Sequence, residues 1–284
     1  MRVVQKKLEN ESAKLYYEQF ENYQEFLKTV ESRDRDNSHG EHSLKKNSDR
    51  GKDWTGVKNY EEARNLLING WDAKVEYLKE QFKQASKELD EKRVVKTFSD
   101  MVGFMPIVPN VIIGLPNCML NNRTETKKSK VIKFLIDTTA SCGEDSNDMI
   151  KYYSEVLARI ALLERKGYRC RIEILQSYTE ESSSRTKACF SVLIKNENQP
   201  FDIKRMAFPM AHTAMFRVFG FAWENSLPID YDSYHCGGLG VPMYHWRSNR
   251  RENLINGLRN VNEKIVYVSY KKDLEQIFER EVVE

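Results

Sequence analysis

The chain has 284 residues, of which 40% are apolar and 31% charged, so one large domain or two small ones with a sizeable core are expected. Its 45 basic and 42 acidic residues leave a formal net charge of +3, which gives no bulk electrostatic reason to expect a nucleic-acid or anionic-membrane partner. The five cysteines form no CxxC pair, the chain begins without an apolar leader, and no run approaches a spanning segment, so we expect free thiols in a soluble cytoplasmic protein that binds no membrane.

The N-terminal part is predicted to be helical. In residues 11–31, aromatic and aliphatic residues recur at mostly three- and four-residue steps, which predicts an amphipathic helix in a first unit, 1–31. Residues 32–53 contain a single aliphatic side chain, Leu44, among charged and small polar residues, and we interpret them as a flexible linker.

Residues 54–125 are interpreted as a helical region that ends in a connector. Asn59 and Glu62 have the spacing of a capping box, and a second helix is predicted over 72–93. Three prolines and two glycines punctuate the apolar residues of 99–120, which predicts a buried, irregular connector. We place a domain boundary near residue 125, where the composition becomes polar.

Residues 126–284 alternate between strand and helix patterns. This alternation predicts an α/β domain with a mainly parallel sheet flanked by helices. The predicted strands are 130–137, 169–178, 187–195 and 263–270, and the predicted helices are 146–166, 200–224 with a break at Pro209, and 273–282.

The end of the first of these strands carries the best candidate site. Asp137, Thr139 and Ser141 follow it at two-residue spacing, at the sheet edge where open α/β proteins bind ligands. Their hard oxygen atoms suit Mg²⁺, Mn²⁺ or Ca²⁺. An ordinary polar turn that caps the following helix explains the same residues, and the sequence leaves both interpretations open.

The stretch FLIDTTASCGEDSNDMIKYYSEVLARIALLERKGYRCRIEIL resembles the first strand, metal loop, first helix and second strand of a von Willebrand factor A-like domain. The resemblance implies a Rossmann-like topology and a metal-ion-dependent adhesion site whose Asp-x-Thr-x-Ser part is Asp137, Thr139 and Ser141. It also implies two distant ligands, a threonine for which Thr186 is the candidate and an aspartate for which Asp230 or Asp232 is available. In such a site an acidic side chain of a protein partner completes the coordination of the cation.

A second resemblance concerns most of residues 54–270. WTGVKNYEEARNLLINGW and GFMPIVPNVIIGLPNCM, followed by the strand-helix-strand unit, are similar to an uncharacterised family encoded by bacteriophages and integrated mobile elements. This similarity implies a place in a bacterial host cell or a virion and implies no activity.

Other chemistries have weaker signals. A cluster of arginines beside a tryptophan favours nucleic-acid binding as an alternative, although a solvated helix face has the same pattern; its residues are Trp246, Arg247, Arg250 and Arg251. A metal-dependent hydrolase at the same sheet edge is a third alternative. A Cys–His pair or a zinc site lacks supporting spacing; its residues would come from Cys142, Cys236, His212, His235 and His245.

The sequence therefore favours a non-enzymatic phage or mobile-element protein that binds a partner macromolecule, either another protein or a second copy, through a divalent cation. The aromatic N-terminal helix is interpreted as an assembly element.

Overall fold

The computed structural model describes residues 2–7, 14–34, 44–49, 51–72, 75–77, 79–80, 83, 97–122, 131–139, 144–179, 186–227, 265–269 and 273–283. The strands are β1 Arg2–Lys7, β2 Lys14–Phe20, β3 Thr97–Asp100, β4 Met105–Pro106, β5 Met119–Asn122, β6 Val131–Asp137, β7 Arg169–Thr179, β8 Thr186–Lys195 and β9 Ile265–Ser269. The helices are α1 Tyr23–Arg33, α2 Leu44–Ser48, α3 Lys52–Thr55, α4 Tyr60–Asn69, α5 Val108–Ile112, α6 Ser146–Arg165, α7 Ile203–Ala211, α8 Phe221–Asn225 and α9 Leu274–Val283. A π-helical segment, Met215–Gly220, joins α8 directly.

Six strands form the main sheet in the order β1-β2-β8-β7-β6-β9. Strand β6 pairs in parallel with β7 and β9, and β2 pairs in parallel with β8. The β7–β8 and β1–β2 pairs are antiparallel. The predicted α/β class, with a mainly parallel sheet flanked by helices, is confirmed.

The hydrophobic core lies between one face of this sheet and the helices. Side chains alternate between the two faces of a strand, and Phe134, Ile174 and Phe190 point to the core face and are fully buried. Helix α6 packs on this face through Tyr153 and Ile160. Its N-terminus is fixed because the Asp145 carboxylate accepts hydrogen bonds from the amides of Asn147 and Asp148.

The N-terminal helix predicted over 11–31 is wrong for residues 14–20. These residues form strand β2, which pairs with β8, and the helix α1 begins at Tyr23, after the N-cap Asn22. The run Leu15–Phe20 is rich in aromatic residues, which favour strands. The run is too short for its hydrophobic period to distinguish a helix from a strand.

The linker predicted over 32–53 is also wrong in part, because residues 44–48 form α2 and residue 52 begins α3. The one aliphatic residue of this stretch, Leu44, is buried in the core, and its amide donates to the Asp34 carboxylate. A single apolar side chain thus anchors a segment whose composition is otherwise that of a linker. Residues 35–43 lie outside the described part of the chain.

The capping box predicted at the start of α4 is confirmed in its main contact, since the Asn59 side chain accepts from the Glu62 amide. Residues 75–77, 79–80 and 83 of the helix predicted over 72–93 are helical. The domain boundary near residue 125 stays a prediction, although β2 and α1, before it, share the sheet and the core with β6 and α6, after it.

Residues 97–122 differ most from the prediction. They form a small antiparallel sheet in the order β3-β5-β4, with α5 between β4 and β5. Nine large apolar residues between Met101 and Leu115, predicted to be buried, are exposed to solvent. Gly103 is required here, because a Cβ atom at that position would stand 2.0 Å from the carbonyl oxygen of Leu120. We call residues 101–115 the apolar tip.

Candidate functional site at the carboxyl edge of the sheet

Strand β6 lies where the connections of the sheet change direction. The chain leaves β6 through α6 to reach β7 on one side, and β9 pairs with β6 on the other side. Such a switch point opens a crevice beyond the carboxyl ends of the strands, which is where open α/β sheets bind ligands. Asp137 is the last residue of β6 and stands at this point.

The Asp137 side chain is only 1% exposed, and hydrogen bonds from its neighbours hold it. One carboxylate oxygen, Oδ1, accepts from the Thr139 amide at 3.0 Å. The other, Oδ2, accepts from the Tyr267 hydroxyl at 2.6 Å and from the Ser177 hydroxyl at 3.4 Å. The carbonyl oxygen of Asp137 accepts from the Tyr153 hydroxyl at 2.7 Å. A buried carboxylate is tolerated because these donors replace water.

The two residues after Asp137 bind the neighbouring strand β7. The Thr139 hydroxyl oxygen accepts from the Ser177 amide at 2.8 Å. The Thr138 amide donates to the Leu175 carbonyl at 2.9 Å, and the Gln176 side-chain amide donates to the Thr138 hydroxyl at 3.3 Å. Thr138 and Thr139 therefore extend the hydrogen bonding of the sheet beyond β6, and the N-cap of α6 is Asp145.

Cys189 is a buried neighbour of this cluster that sequence reasoning missed. It lies opposite Ser177 across the β7–β8 pair. Burial, with a smaller contribution from the Asp137 carboxylate, raises the pKa of the Cys189 thiol well above its usual value. The thiol therefore stays protonated and is a poor nucleophile.

The structure brings together Asp137 and Thr139 of the predicted metal ligands. Thr186 is the first residue of β8. Asp137 is in register with Leu175, and Leu175 with Ser191, which is five residues from Thr186 along β8. Thr186 as a ligand stays a prediction. Ser141 and Asp230 lie outside the described residues. Within the described ranges, no group of three or more His, Cys, Asp or Glu side chains is arranged to hold a metal ion.

The nucleic-acid alternative stays a prediction, because Trp246, Arg247, Arg250 and Arg251 all lie outside the described residues. The same holds for Cys142, Cys236, His235 and His245. His212 is described, and it is buried, with its Nδ1 atom accepting from the Ala214 amide. Burial lowers the pKa of His212 to about 4, so the ring is neutral near pH 7 and belongs to the core.

A second polar cluster lies on the same face of the sheet as the Asp137 side chain. Glu173 is fully buried in the middle of β7, where it forms ion pairs with Lys133 at 3.3 Å and Arg171 at 3.1 Å. It also accepts from the Gln19 amide and the Ser191 hydroxyl. Lys133, Leu135 and Asp137 alternate along β6 with the core residues Ile132, Phe134 and Ile136. The charges of Lys133 and Asp137 are the sequence signal for this polar cluster.

Arg217 is another buried charged residue that the sequence analysis did not single out, because the sequence around it is apolar. It lies in the π-helical segment, is buried, and stacks over the Trp54 ring at 4.1 Å from the ring centroid. Gly56, two residues after Trp54, has a φ of +79°, and a Cβ there would stand 2.8 Å from the His212 ring. The WTG stretch thus packs directly against the π-helical segment, so Gly56 is required by both its backbone and its contact.

The strand order, the crossover helix α6 and the polar carboxyl edge define an α/β protein with a mainly parallel sheet and a switch point at β6. The chain belongs to the family described as Domain of unknown function (DUF7192), whose model matches residues 4–280. No curated protein and no solved structure matches it. None of the described helices has the length and apolar character needed to cross a membrane.

Proposed function

We propose that this protein is a non-enzymatic binding protein that attaches to a partner through the apolar tip. The observation that carries the proposal is the concentration of exposed large apolar side chains in one short stretch. Such side chains are normally scattered singly over a surface, and a contiguous group of them marks an interaction site. The small β3-β5-β4 sheet holds this group away from the hydrophobic core.

The polar edge of the main sheet supports a structural role for Asp137. Both of its carboxylate oxygens face hydrogen-bond donors of the protein, and the thiol of Cys189 beside it is held protonated. A catalytic base needs an acceptor atom within reach of a substrate proton. The non-enzymatic reading is our proposal, and the closed hydrogen bonding at Asp137 supports it.

The von Willebrand A-like relationship and the phage or mobile-element origin are further proposals. The order β8-β7-β6-β9, with β8 antiparallel at one side and the crossover through α6, supports a Rossmann-like arrangement of this kind. The genes that flank this one test the origin, because a cluster of virion or integration genes is expected and a conserved metabolic operon would oppose it.

The divalent cation at Asp137 is proposed separately. The Thr139 amide and the Tyr267 hydroxyl already donate to the two carboxylate oxygens, so a cation would have to share these oxygens with the two donors. Isothermal calorimetry of the full chain with Mg²⁺, Mn²⁺ and Ca²⁺ tests it. Heat that disappears in Asp137→Asn but persists in Asp148→Asn, an exposed control in α6, supports a site. The same small heat in all three proteins overturns it.

The binding function is tested by site-specific photocrosslinking in the cell that naturally contains the protein. A benzophenone side chain replaces Ile112, which is 77% exposed in the tip, or Ile68, an exposed residue of α4 that serves as the control. We expect an adduct, with a protein or with a lipid, from position 112 and none from position 68. Equal, diffuse labelling at the two positions would overturn the proposal.

A further inference from the structure

The apolar tip has an unusual combination of composition and exposure. From residue 101 to residue 122 the chain contains no charged side chain. Nine large apolar residues of the tip are exposed, among them Phe104 at 63% and Ile113 at 68%. The full set is Met101, Val102, Phe104, Met105, Val108, Val111, Ile112, Ile113 and Leu115.

Many backbone amides of the tip are hydrogen-bonded within the tip or to the strand that follows it. The Phe104 and Ile107 amides donate to the carbonyls of Leu120 and Cys118 on the returning strand side. The amides of Asn110, Val111, Ile113, Gly114 and Leu115 donate to carbonyls inside the tip. Pro106 and Pro109 carry no amide hydrogen. A segment that leaves water for hydrocarbon must satisfy its polar backbone internally, and these residues of the tip do so.

The composition of the tip favours a lipid over a protein surface. Protein interfaces combine apolar and aromatic residues at their centre with a polar rim that forms hydrogen bonds across the contact. The tip has the apolar part alone, because Asn110 is the single polar side chain in residues 101–115 and none of these residues is charged. Such a surface offers a partner apolar area and almost no directional contact.

The sequence is basic on both sides of the tip. Before β3, residues 92–96 contain three basic residues and no acidic one. After β5, residues 123–130 contain four basic residues and one acidic residue. The first pair of the stem is Thr97 with Asn122, so both basic stretches are joined to the end of the stem that is remote from the tip, whereas Asp100 is at the near end. Basic residues attract anionic headgroups over about a Debye length, roughly 10 Å, which is comparable with the length of the stem.

We propose that the apolar tip inserts into the interfacial layer of an anionic lipid bilayer and anchors the protein there without crossing the membrane. This proposal rests on the proposed function and names the partner of the same surface. Interfacial segments bury their apolar face by about 5–10 Å. The four-residue stem from Thr97 to Asp100 spans about 10 Å and separates the tip from the rest of the chain. The sequence-based expectation that no membrane is bound rested on the lack of a spanning segment, which an interfacial anchor does not need.

The test is flotation of the purified full chain with lipid vesicles. Vesicles of phosphatidylcholine alone are compared with vesicles that also contain phosphatidylglycerol. We expect the protein to float with the anionic vesicles, to float less with the neutral ones, and to be released by added salt. The double variant Ile112→Asp/Ile113→Asp should lose at least about tenfold in binding, because each change removes apolar area from the lipid contact.

Two controls make the result specific. Val131→Asp alters an exposed apolar residue of the main sheet and should bind vesicles like the parent. Equal urea midpoints of the parent and the double variant show that both are folded. Failure of the parent to float with either vesicle, or undiminished binding by the double variant, overturns the lipid proposal.

The photocrosslinking result separates the two proposals. A protein adduct at position 112 without flotation leaves the binding function standing and overturns the lipid partner. A dimer of the parent that the double variant abolishes, again without flotation, identifies a second copy as the occupant and also overturns it. Neither adduct nor flotation overturns both proposals.

Discussion

The carboxyl edge of the main sheet and the apolar tip depart from the usual burial pattern in opposite directions. The edge buries the carboxylate of Asp137 and satisfies it with hydroxyl and amide donors. The tip exposes side chains such as Ile112 and Phe104, and nothing in the described chain covers them. The polar groups of the edge already have hydrogen-bond partners within the protein, whereas the apolar side chains of the tip remain free to bind a partner. The comparison therefore assigns stability to the edge and binding to the tip.

The largest expected difference between the two regions is in the stability effect of replacing a phenylalanine. Phe134 is fully buried in β6, and Phe104 is exposed in the tip. We expect Phe134→Ala to lower the free energy of unfolding by about 3–5 kcal/mol, through lost burial and the cavity it leaves. Phe104→Ala should change it by less than about 0.5 kcal/mol. Urea unfolding followed by circular dichroism measures both values. A large loss for Phe104→Ala would mean that the tip packs against the body of the protein.

A second test of the comparison uses a buried acid with one unpartnered oxygen atom. Glu224 in α8 is buried, and its Oε2 atom has no hydrogen-bond partner. Burial raises the pKa of Glu224 from 4.5 to about 8. The folded protein therefore keeps a proton that the unfolded chain releases between these two pH values, and stability falls as the pH rises through this window.

Glu224→Gln carries no titrating proton and escapes this loss. The stability of the variant relative to the parent should rise between pH 4.5 and pH 8, by on the order of 5 kcal/mol. Urea midpoints of both proteins across this pH range measure the difference. Curves for the two proteins that stay parallel would show that Glu224 is ionised or solvated in the folded state.

The smallest expected effect concerns one hydrogen bond of the edge. Tyr267→Phe removes the hydroxyl that donates to Asp137 at 2.6 Å in a buried site. We expect a loss of about 1–2 kcal/mol. Tyr60→Phe is the matched control, since the Tyr60 hydroxyl also donates to a carboxylate, that of Glu31, but at an exposed position, and should cost less than about 0.5 kcal/mol. Equal losses would contradict the structural role given to the buried cluster.

Local patterns in the sequence predicted the region after residue 130 well. The apolar run of β6 and the period of α6 each act over a few residues, and their elements appear close to the predicted bounds. The break predicted at Pro209 is wrong, since α7 contains Pro209 and ends at Ala211. The helix predicted over residues 14–20 failed because the pairing partner of β2 is β8, more than 150 residues away in sequence. The hydrophobic period of a short run is too weak to determine its conformation, which then depends on pairing with a strand that is distant in sequence.

The sequence predicted two residues of the candidate site and missed the two that complete its hydrogen bonding. Asp137 and Thr139 were found because they follow a strand directly. Tyr267 and Ser177, which complete the cluster, come from β9 and β7 and have no local signal. The tip was recognised as apolar but assigned to the interior, because composition states how apolar a segment is and not whether another segment covers it.

The central claim is that the tip is a solvent-facing surface that enters a lipid layer. Phe104→Trp places an indole there, and subtraction of the parent spectrum removes the signal of the four native tryptophans. We predict the emission of an indole in water in buffer alone, and a shift to shorter wavelength when anionic vesicles are added. An indole that already emits as a buried group in buffer, or that vesicles leave unchanged, would contradict the account.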